Sequence, residues 1–286
     1  MSISATQVKE LRDKTGAGMM DCKKALAEAN GDFEKAVEIL RKKGASIAAK
    51  RADRSASEGI VLARVSDDKK NAVMVEVNCE TDFVAKSDDF VKFAQLVLDT
   101  VEKSQVTTVE ELINSSVEVK NGIEETMGKV GEKTEISRFT RVSSEDGIIV
   151  DYIHPGSRLG VLIQLSQVPA EHAAAFYTCG RDLAMQVAAM NPVSVSRDEV
   201  PQATIDSELE IYKELARKEG KPENMLEKIS QGRLNKYFQE NCLLEQVYTK
   251  DNSLTVKEYV AQVNKASGTN ATVVKFTRFQ LGDSSK

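Results

Sequence analysis

The chain has little of what most enzymes use for chemistry. Its 286 residues include no tryptophan and only two histidines, His154 and His172. The cysteines are scattered at four positions: Cys22, Cys79, Cys179 and Cys242. This spacing fits neither a zinc site nor a disulfide framework. The sequence therefore predicts free buried thiols, no metal site, no cofactor and no enzymatic activity.

Long apolar runs and a basic excess are also missing. No run approaches the roughly 20 apolar residues that span a bilayer. The N-terminal segment lacks the basic start and apolar middle of a signal peptide. The net charge of −5 argues against a nucleic-acid binder, because neutralising phosphates requires an excess of basic residues. We therefore expect a cytoplasmic protein with no membrane partner and no direct nucleic-acid partner.

Residues 1–40 carry three short helical patterns separated by glycine turns. The first pattern ends at residues 15–18 (Thr-Gly-Ala-Gly), Asp21 can cap the second, and Asp32 can cap the third. A basic stretch follows from Arg41 to Arg54, typical of a solvated helix or linker, with a nucleic-acid arm as the alternative. We assign residues 1–54 to a three-helix docking domain with a basic linker.

The main body contains an internal duplication. Gly147 lies 88 residues after Gly59, and Val161 lies 88 residues after Val73, each pair within a similar apolar segment. The closing strands, around Phe139 and Phe276, are 137 residues apart, so the second unit holds an insertion of about 49 residues. Each unit starts with a hairpin, crosses through helices and returns to a strand. This predicts two related α+β subdomains.

The insertion has the pattern of a helical hairpin. Apolar residues recur three or four apart on both sides of a turn at Gly220-Lys-Pro222. We place core subdomain N at residues 55–142, core subdomain C at 143–196 and 236–286, and the antiparallel hairpin at 197–235. The pattern leaves open whether the hairpin packs on itself, on a partner or on a second copy, so a homodimer through the hairpin or the core is one expectation.

The corner after the strand Val73–Val77 is the most informative segment. Acids flank an aromatic ring in Glu80-Thr-Asp-Phe83, and Ser87 can cap the helix that follows. Two interpretations are open: Phe83 folds back into the core, or it is held out for a partner.

Other candidates have equally ordinary alternatives. Met19 and Met20 after the glycine turn are either adaptable core residues or a protein-contact surface. His154, beside Pro155-Gly156, is either a solvated turn residue or a contact residue. Cys79 would act as a nucleophile only with a lowered pKa and a positioned histidine, which the sequence does not supply nearby.

Two motifs and the duplicated core together resemble the elongation factor Ts family, over essentially the whole chain. The motifs are VKELRDKTGAGMMDCKKAL at residues 8–26 and EVNCETDFVAK at residues 76–86. The resemblance implies an α+β fold with an N-terminal ubiquitin-associated-like three-helix domain, a core of two similar subdomains and an inserted helical hairpin. It also implies a guanine-nucleotide exchange factor for elongation factor Tu.

The resemblance assigns partner-binding roles by position. Asp82 and Phe83, with Thr81 beside them, match a wedge whose ring enters the GTPase domain of elongation factor Tu near its magnesium and phosphate site. The other positions that match contact surfaces are Met19, Met20, Arg12, Lys23, Val130, Gly131 and His154. Of these, His154 matches the contact region of the second subdomain.

An alternative from a different class stays open. The small N-terminal domain is also compatible with a non-enzymatic adaptor or chaperone-like module that binds other proteins while the core assembles. Only the exchange factor accelerates nucleotide loss from its partner, so this property separates the two.

Overall fold

A computed structural model describes residues 3–51 and 53–283 of the chain. Its N-terminal part contains α1 (Ala5–Thr15), α2 (Met19–Glu28) and α3 (Phe33–Arg51) around a small core that includes Leu11 and Leu26. The predicted cap of the second helix is wrong. Helix α2 begins at Met19 because the Gly18 carbonyl already accepts from the Cys22 amide, which leaves Asp21 inside the first turn.

The first core subdomain is a sheet covered by helices. Its elements in chain order are β1 (Glu58–Val65), β2 (Asn71–Cys79), α4 (Asp82–Ala85), α5 (Asp88–Lys103), α6 (Val109–Ser115), α7 (Val117–Val130) and β3 (Thr134–Ser143). The strands pair antiparallel in the order β1-β2-β3. Ser87 caps α5, as predicted, by accepting from the Phe90 amide.

The second core subdomain repeats this plan around the inserted hairpin. Its elements in chain order are β4 (Ile148–Ile153), β5 (Leu159–Ser166), α8 (Ala173–Met190), α9 (Gln202–Lys218), α10 (Glu223–Asn241), α11 (Val256–Ser267) and β6 (Thr272–Gln280). The strands pair antiparallel in the order β4-β5-β6. Helices α9 and α10 form the hairpin, which turns at Gly220 with a φ of +74°, and α10 runs on past residue 235.

The duplication extends to irregularities of the backbone. The sheet register shifts between Glu76 and Val77 in one subdomain and between Gln164 and Leu165 in the other, again 88 residues apart. An added Cβ would lie 1.7 Å from the Leu165 carbonyl oxygen at Gly147 and 2.1 Å from the Val77 carbonyl oxygen at Gly59. A side chain cannot fit at these crossings. The predicted α+β fold with a duplicated core is therefore confirmed.

The two sheets pack against each other through a shared apolar layer. Val61 and Met74 from the first sheet and Ile149 and Leu162 from the second are buried together. The Val61 amide also donates to the Ser157 carbonyl at 2.6 Å, which joins β1 to the β4–β5 loop. The subdomains thus form one body. Across residues 3–51 and 53–283, no helix is both long and apolar enough to cross a membrane.

Helix α3 joins the N-terminal helices to this body. It continues through the basic stretch to Arg51 rather than ending near Leu40. It crosses α7 at Gly44, where an added Cβ would lie 2.6 Å from the Glu124 carbonyl oxygen. The approach is this close because the α7 residue at the crossing, Gly128, also lacks a side chain.

Candidate functional site

Phe83 stands out of the surface rather than folding into the core. It lies in α4, a single helical turn at a place where the sequence predicts only a corner, and its side chain is 82% exposed. The interpretation in which Phe83 packs inside its own subdomain is therefore wrong. Ala85, two residues on, is buried and fixes the opposite side of the turn. An exposed ring on an anchored turn is suited to contact another molecule, because aromatic side chains are enriched at protein interfaces.

The residues before Phe83 are tied to the loop that follows α7. The Thr81 hydroxyl accepts from the Val84 amide and so caps α4. The same hydroxyl donates to Glu132 at 2.8 Å, and the Thr81 amide donates to the other Glu132 oxygen at 3.0 Å. Glu80 accepts from the Lys133 amide at 2.7 Å. The β2–α4 corner, residues 80–83, is thus joined to residues 132–133 by two neighbouring connections.

Asp82 presents a carboxylate next to the exposed ring. Lys86, one turn later in the chain, donates to it at 2.7 Å. That hydrogen bond is the main cause that lowers the pKa of Asp82, and the charge of Arg158 acts in the same direction. The carboxylate is therefore ionised at neutral pH. The β4–β5 loop of the second subdomain lies on this side of the molecule, because Arg158 pairs with Glu58, which lies opposite Cys79 at the end of β2.

Val130 and Gly131 lie next along the chain to Glu132, which is bonded to the corner, and His154 lies on the β4–β5 loop. Val130 ends α7, and Gly131 closes it with a φ of +73°, directly before Glu132. His154 is exposed on the β4–β5 loop, where its Nδ1 lies 2.8 Å from the Tyr152 hydroxyl. The structure therefore brings Val130 and Gly131 beside Thr81, and it places His154 on the loop that carries Arg158.

The N-terminal candidates lie on the first two helices. Met19 and Met20 are 57% and 63% exposed at the start of α2, so the interpretation of this pair as core residues is wrong. Arg12 and Lys23 are exposed on α1 and α2. The turn between the helices touches Lys129 of α7 at Gly16. The same helix end thus contacts the N-terminal turn and leads into the loop at the β2–α4 corner.

Glu80 and Glu132 were missed by sequence reasoning. Glu80 was only an acid beside an aromatic ring, and Glu132 followed a glycine with nothing to mark its partner. The signal that could have found them is the adjacency of each to a predicted contact residue. Glu132 bonds Thr81 across 51 residues of sequence and Glu80 bonds the Lys133 amide across 53, so only the fold brings these partners together.

The cysteines are unsuited to nucleophilic chemistry. All four are buried and free of disulfides, as the sequence predicts. Burial raises the pKa of Cys79 and of Cys179 to about 12, and it raises the pKa of Cys242 as well. These thiols are protonated at neutral pH, which argues against a cysteine hydrolase. Within the part of the chain that the structure describes, no group of three or more His, Cys, Asp or Glu side chains could hold a metal ion.

Comparison with known proteins identifies the family. The family model described as elongation factor TS matches residues 80–283. Proteins named elongation factor Ts from Chlorobium phaeobacteroides and Prosthecochloris aestuarii are 47% and 46% identical to the chain, with 98% of this chain and 99% of each relative covered. One from Clostridium acetobutylicum is 46% identical, with 98% and 93% covered. The chain therefore belongs to the elongation factor Ts family, the nucleotide exchange factors for elongation factor Tu in translation elongation.

Proposed function

We propose that this protein binds elongation factor Tu in the cytoplasm and promotes GDP release, so that GTP can load, by means of a wedge formed by Asp82 and Phe83. The observation that carries the proposal is the 82% exposure of Phe83 on a turn fixed by hydrogen bonds at its start. The wedge enters the GTPase domain near the magnesium and phosphate site and displaces contacts there. No covalent bond is made or broken by the factor.

The exchange follows from a difference in affinity. A factor that binds the nucleotide-free partner more tightly than the nucleotide-bound partner shifts the population towards the free form. The effect is reciprocal, since the bound nucleotide weakens the factor by the same ratio. The factor therefore only has to shift the partner towards its nucleotide-free state, which GDP has left and to which GTP can bind.

The two side chains of the wedge supply different parts of that difference. Burying the Phe83 ring in the complex contributes roughly 1.5–3 kcal/mol, available only when the partner opens to accept it. The ionised Asp82 competes with the phosphates for backbone or hydroxyl donors. Once magnesium is displaced, the phosphate charge is less well compensated and nucleotide affinity falls.

The remaining candidates form the rest of the proposed interface. Met19 and Met20 supply adaptable apolar contact to the GTPase domain, and Arg12 and Lys23 supply charge around it. Val130-Gly131 adds a contact beside the wedge. His154 belongs to a second contact through the core.

The direct test is GDP release from elongation factor Tu with and without this protein. We expect a labelled GDP to leave much faster when the protein is added, and we expect no change in rate with an unrelated protein of similar charge. If the protein bound elongation factor Tu without accelerating the release, it would be an adaptor rather than an exchange factor.

Lys23→Ala should slow association more than it weakens the final complex. Lys23 is exposed on α2, and charges at the edge of an interface act mainly on encounter. We expect the association rate at low ionic strength to fall by roughly two- to fivefold and the difference to shrink at high salt. Stopped-flow association with elongation factor Tu at several salt concentrations measures this.

The matched control is Lys265→Ala, which makes the same change of net charge on α11 of the second subdomain. It should leave the association rate close to that of the unaltered protein. Equal rates for the two variants at low salt would remove Lys23 from the proposed interface.

A further inference from the structure

Helix α4 is too short to hold Phe83 in place by itself. It comprises four residues, Asp82–Ala85, and an isolated turn of this length is unstable because nucleation costs more than one hydrogen bond returns. The ring adds little support of its own, being 82% exposed. The orientation of Phe83 therefore depends on what anchors the turn, namely the burial of Ala85 on one side and the contacts of Thr81 at its start.

Glu132 is placed to set that orientation through Thr81. Its Oε1 accepts from the Thr81 hydroxyl at 2.8 Å, and its Oε2 accepts from the Thr81 amide at 3.0 Å. Thr81 thus gives its single hydroxyl proton to Glu132, which leaves the hydroxyl oxygen free to accept from Val84 and cap α4. A carboxylate suits this double role because both of its oxygens accept hydrogen bonds. The side-chain amide of glutamine would instead direct its NH2 donor at one of the two Thr81 donors.

Glu132 is itself held by its surroundings. Gly131, in the left-handed conformation, closes α7 by donating to Met127 at 2.9 Å, so the chain leaves the helix in a fixed direction. The next residue, Lys133, donates its amide to Glu80 at 2.7 Å. Glu80 also pairs with Arg51 of α3 at 2.5 Å. The end of α7, the end of α3 and the β2–α4 corner are therefore linked as one unit.

We propose that Glu132 is the positioning residue of the wedge: it orients Thr81 so that α4 presents Phe83 to the partner. The inference rests on the proposed function, since it concerns how the same wedge is presented. Removing the Glu132 carboxylate does not change the Phe83 ring itself, but it loosens the start of the turn that carries the ring. Ordering the wedge on binding to the nucleotide-free partner then costs free energy, and exchange slows.

Glu132→Ala tests the proposal in the full chain with elongation factor Tu and a labelled GDP. We expect the maximal rate of GDP release at saturating factor to fall about tenfold, the effect of one or two charge-assisted hydrogen bonds. The factor concentration that gives half the maximal rate should change by less than about threefold, since the surrounding contacts remain. The maximal rate with Glu132→Gln, which keeps one acceptor oxygen, should lie between the rates of Glu132→Ala and the unaltered protein. Glu145→Ala, which removes an exposed carboxylate from the β3–β4 connection, is the control and should match the unaltered protein.

A double variant separates positioning from a general structural role. If Glu132 acts through Phe83, adding Glu132→Ala to Phe83→Ala should lower the maximal rate by less than about twofold further. A full further tenfold loss would overturn the proposal, as would an unchanged rate for Glu132→Ala alone. A rate loss accompanied by a lower melting temperature in both Glu132→Ala and Glu132→Gln, with normal rates restored on cooling, would also overturn it. Absence of any acceleration by the unaltered protein would instead refute the exchange function.

Discussion

Replacing Phe83 with alanine is expected to slow catalysed GDP release from elongation factor Tu by roughly 10- to 100-fold. That range corresponds to the 1.5–3 kcal/mol gained when a large apolar side chain leaves water, converted at about 1.4 kcal/mol per tenfold. The loss falls on the opened, nucleotide-free partner, because only this state accommodates the ring. Binding at equilibrium should weaken less than the release rate slows, since the other contacts remain. Stopped-flow release of a fluorescent GDP measures the rate directly.

The structure makes Phe83→Ala a clean test. At 82% exposure the ring contributes little to folding, so the melting temperature should stay unchanged. Val117→Ala is the matched control, because Val117 is 71% exposed at the start of α7 and lies outside the proposed interface. It should release GDP at the rate of the unaltered protein. If Phe83→Ala did the same, the ring would have no role in exchange.

The fold was largely predictable because local patterns and the global repeat agreed. The apolar, β-branched segment Val73–Val77 predicted a buried strand, and Ser87 before an amphipathic run predicted a helix start. The 88-residue offset then linked Gly59 to Gly147, two positions that prove to need glycine because a carbonyl oxygen occupies the space of a side chain. Such signals are local or repeated, and so they can be read from one sequence.

The details that sequence reasoning missed depend on contacts between distant segments. The sequence left open whether the basic stretch after Leu40 is a helix or a linker, and the helix continues to Arg51 with the support of packing on α7 at Gly44. The wrong cap at Asp21 has a similar origin. The backbone of Gly18 already supplied the first hydrogen bond of α2, so no side-chain cap was required. The exposure of Phe83 could not be decided either, since composition alone fits a buried ring equally well.

Glu76 is another feature whose partner sequence could not supply. It interrupts the apolar strand β2, yet its side chain is fully buried. Arg138, opposite it on β3, donates through Nε to a Glu76 oxygen at 2.7 Å. The guanidinium also lies 4.2 Å from the Phe279 ring and donates to the Gln280 carbonyl at 3.1 Å. Arg138 therefore neutralises a buried charge and fastens the first sheet to the last strand of the second.

Arg138→Met should lower the free energy of unfolding by about 3–5 kcal/mol, because it breaks the ion pair between the Arg138 guanidinium and the buried Glu76 carboxylate. Methionine keeps much of the apolar stem, so the loss reports the charge more than the packing. Urea unfolding followed by circular dichroism measures the change, provided that the transition stays two-state. A loss below about 1 kcal/mol would show that the remaining contacts of Glu76 suffice without the arginine.

The matched control is the pair Glu76→Gln and Arg138→Met in one chain. Removing both charges abolishes the buried ion, so the double variant should be more stable than Arg138→Met alone, with a coupling of about 1–3 kcal/mol. Additive losses would mean that Arg138 acts mainly through Phe279 and Gln280 at the contact between the sheets. Gln280 lies opposite Leu159, where the β4–β5 loop ends, and the Leu281 amide donates to the Arg158 carbonyl, so the same contact also supports that loop.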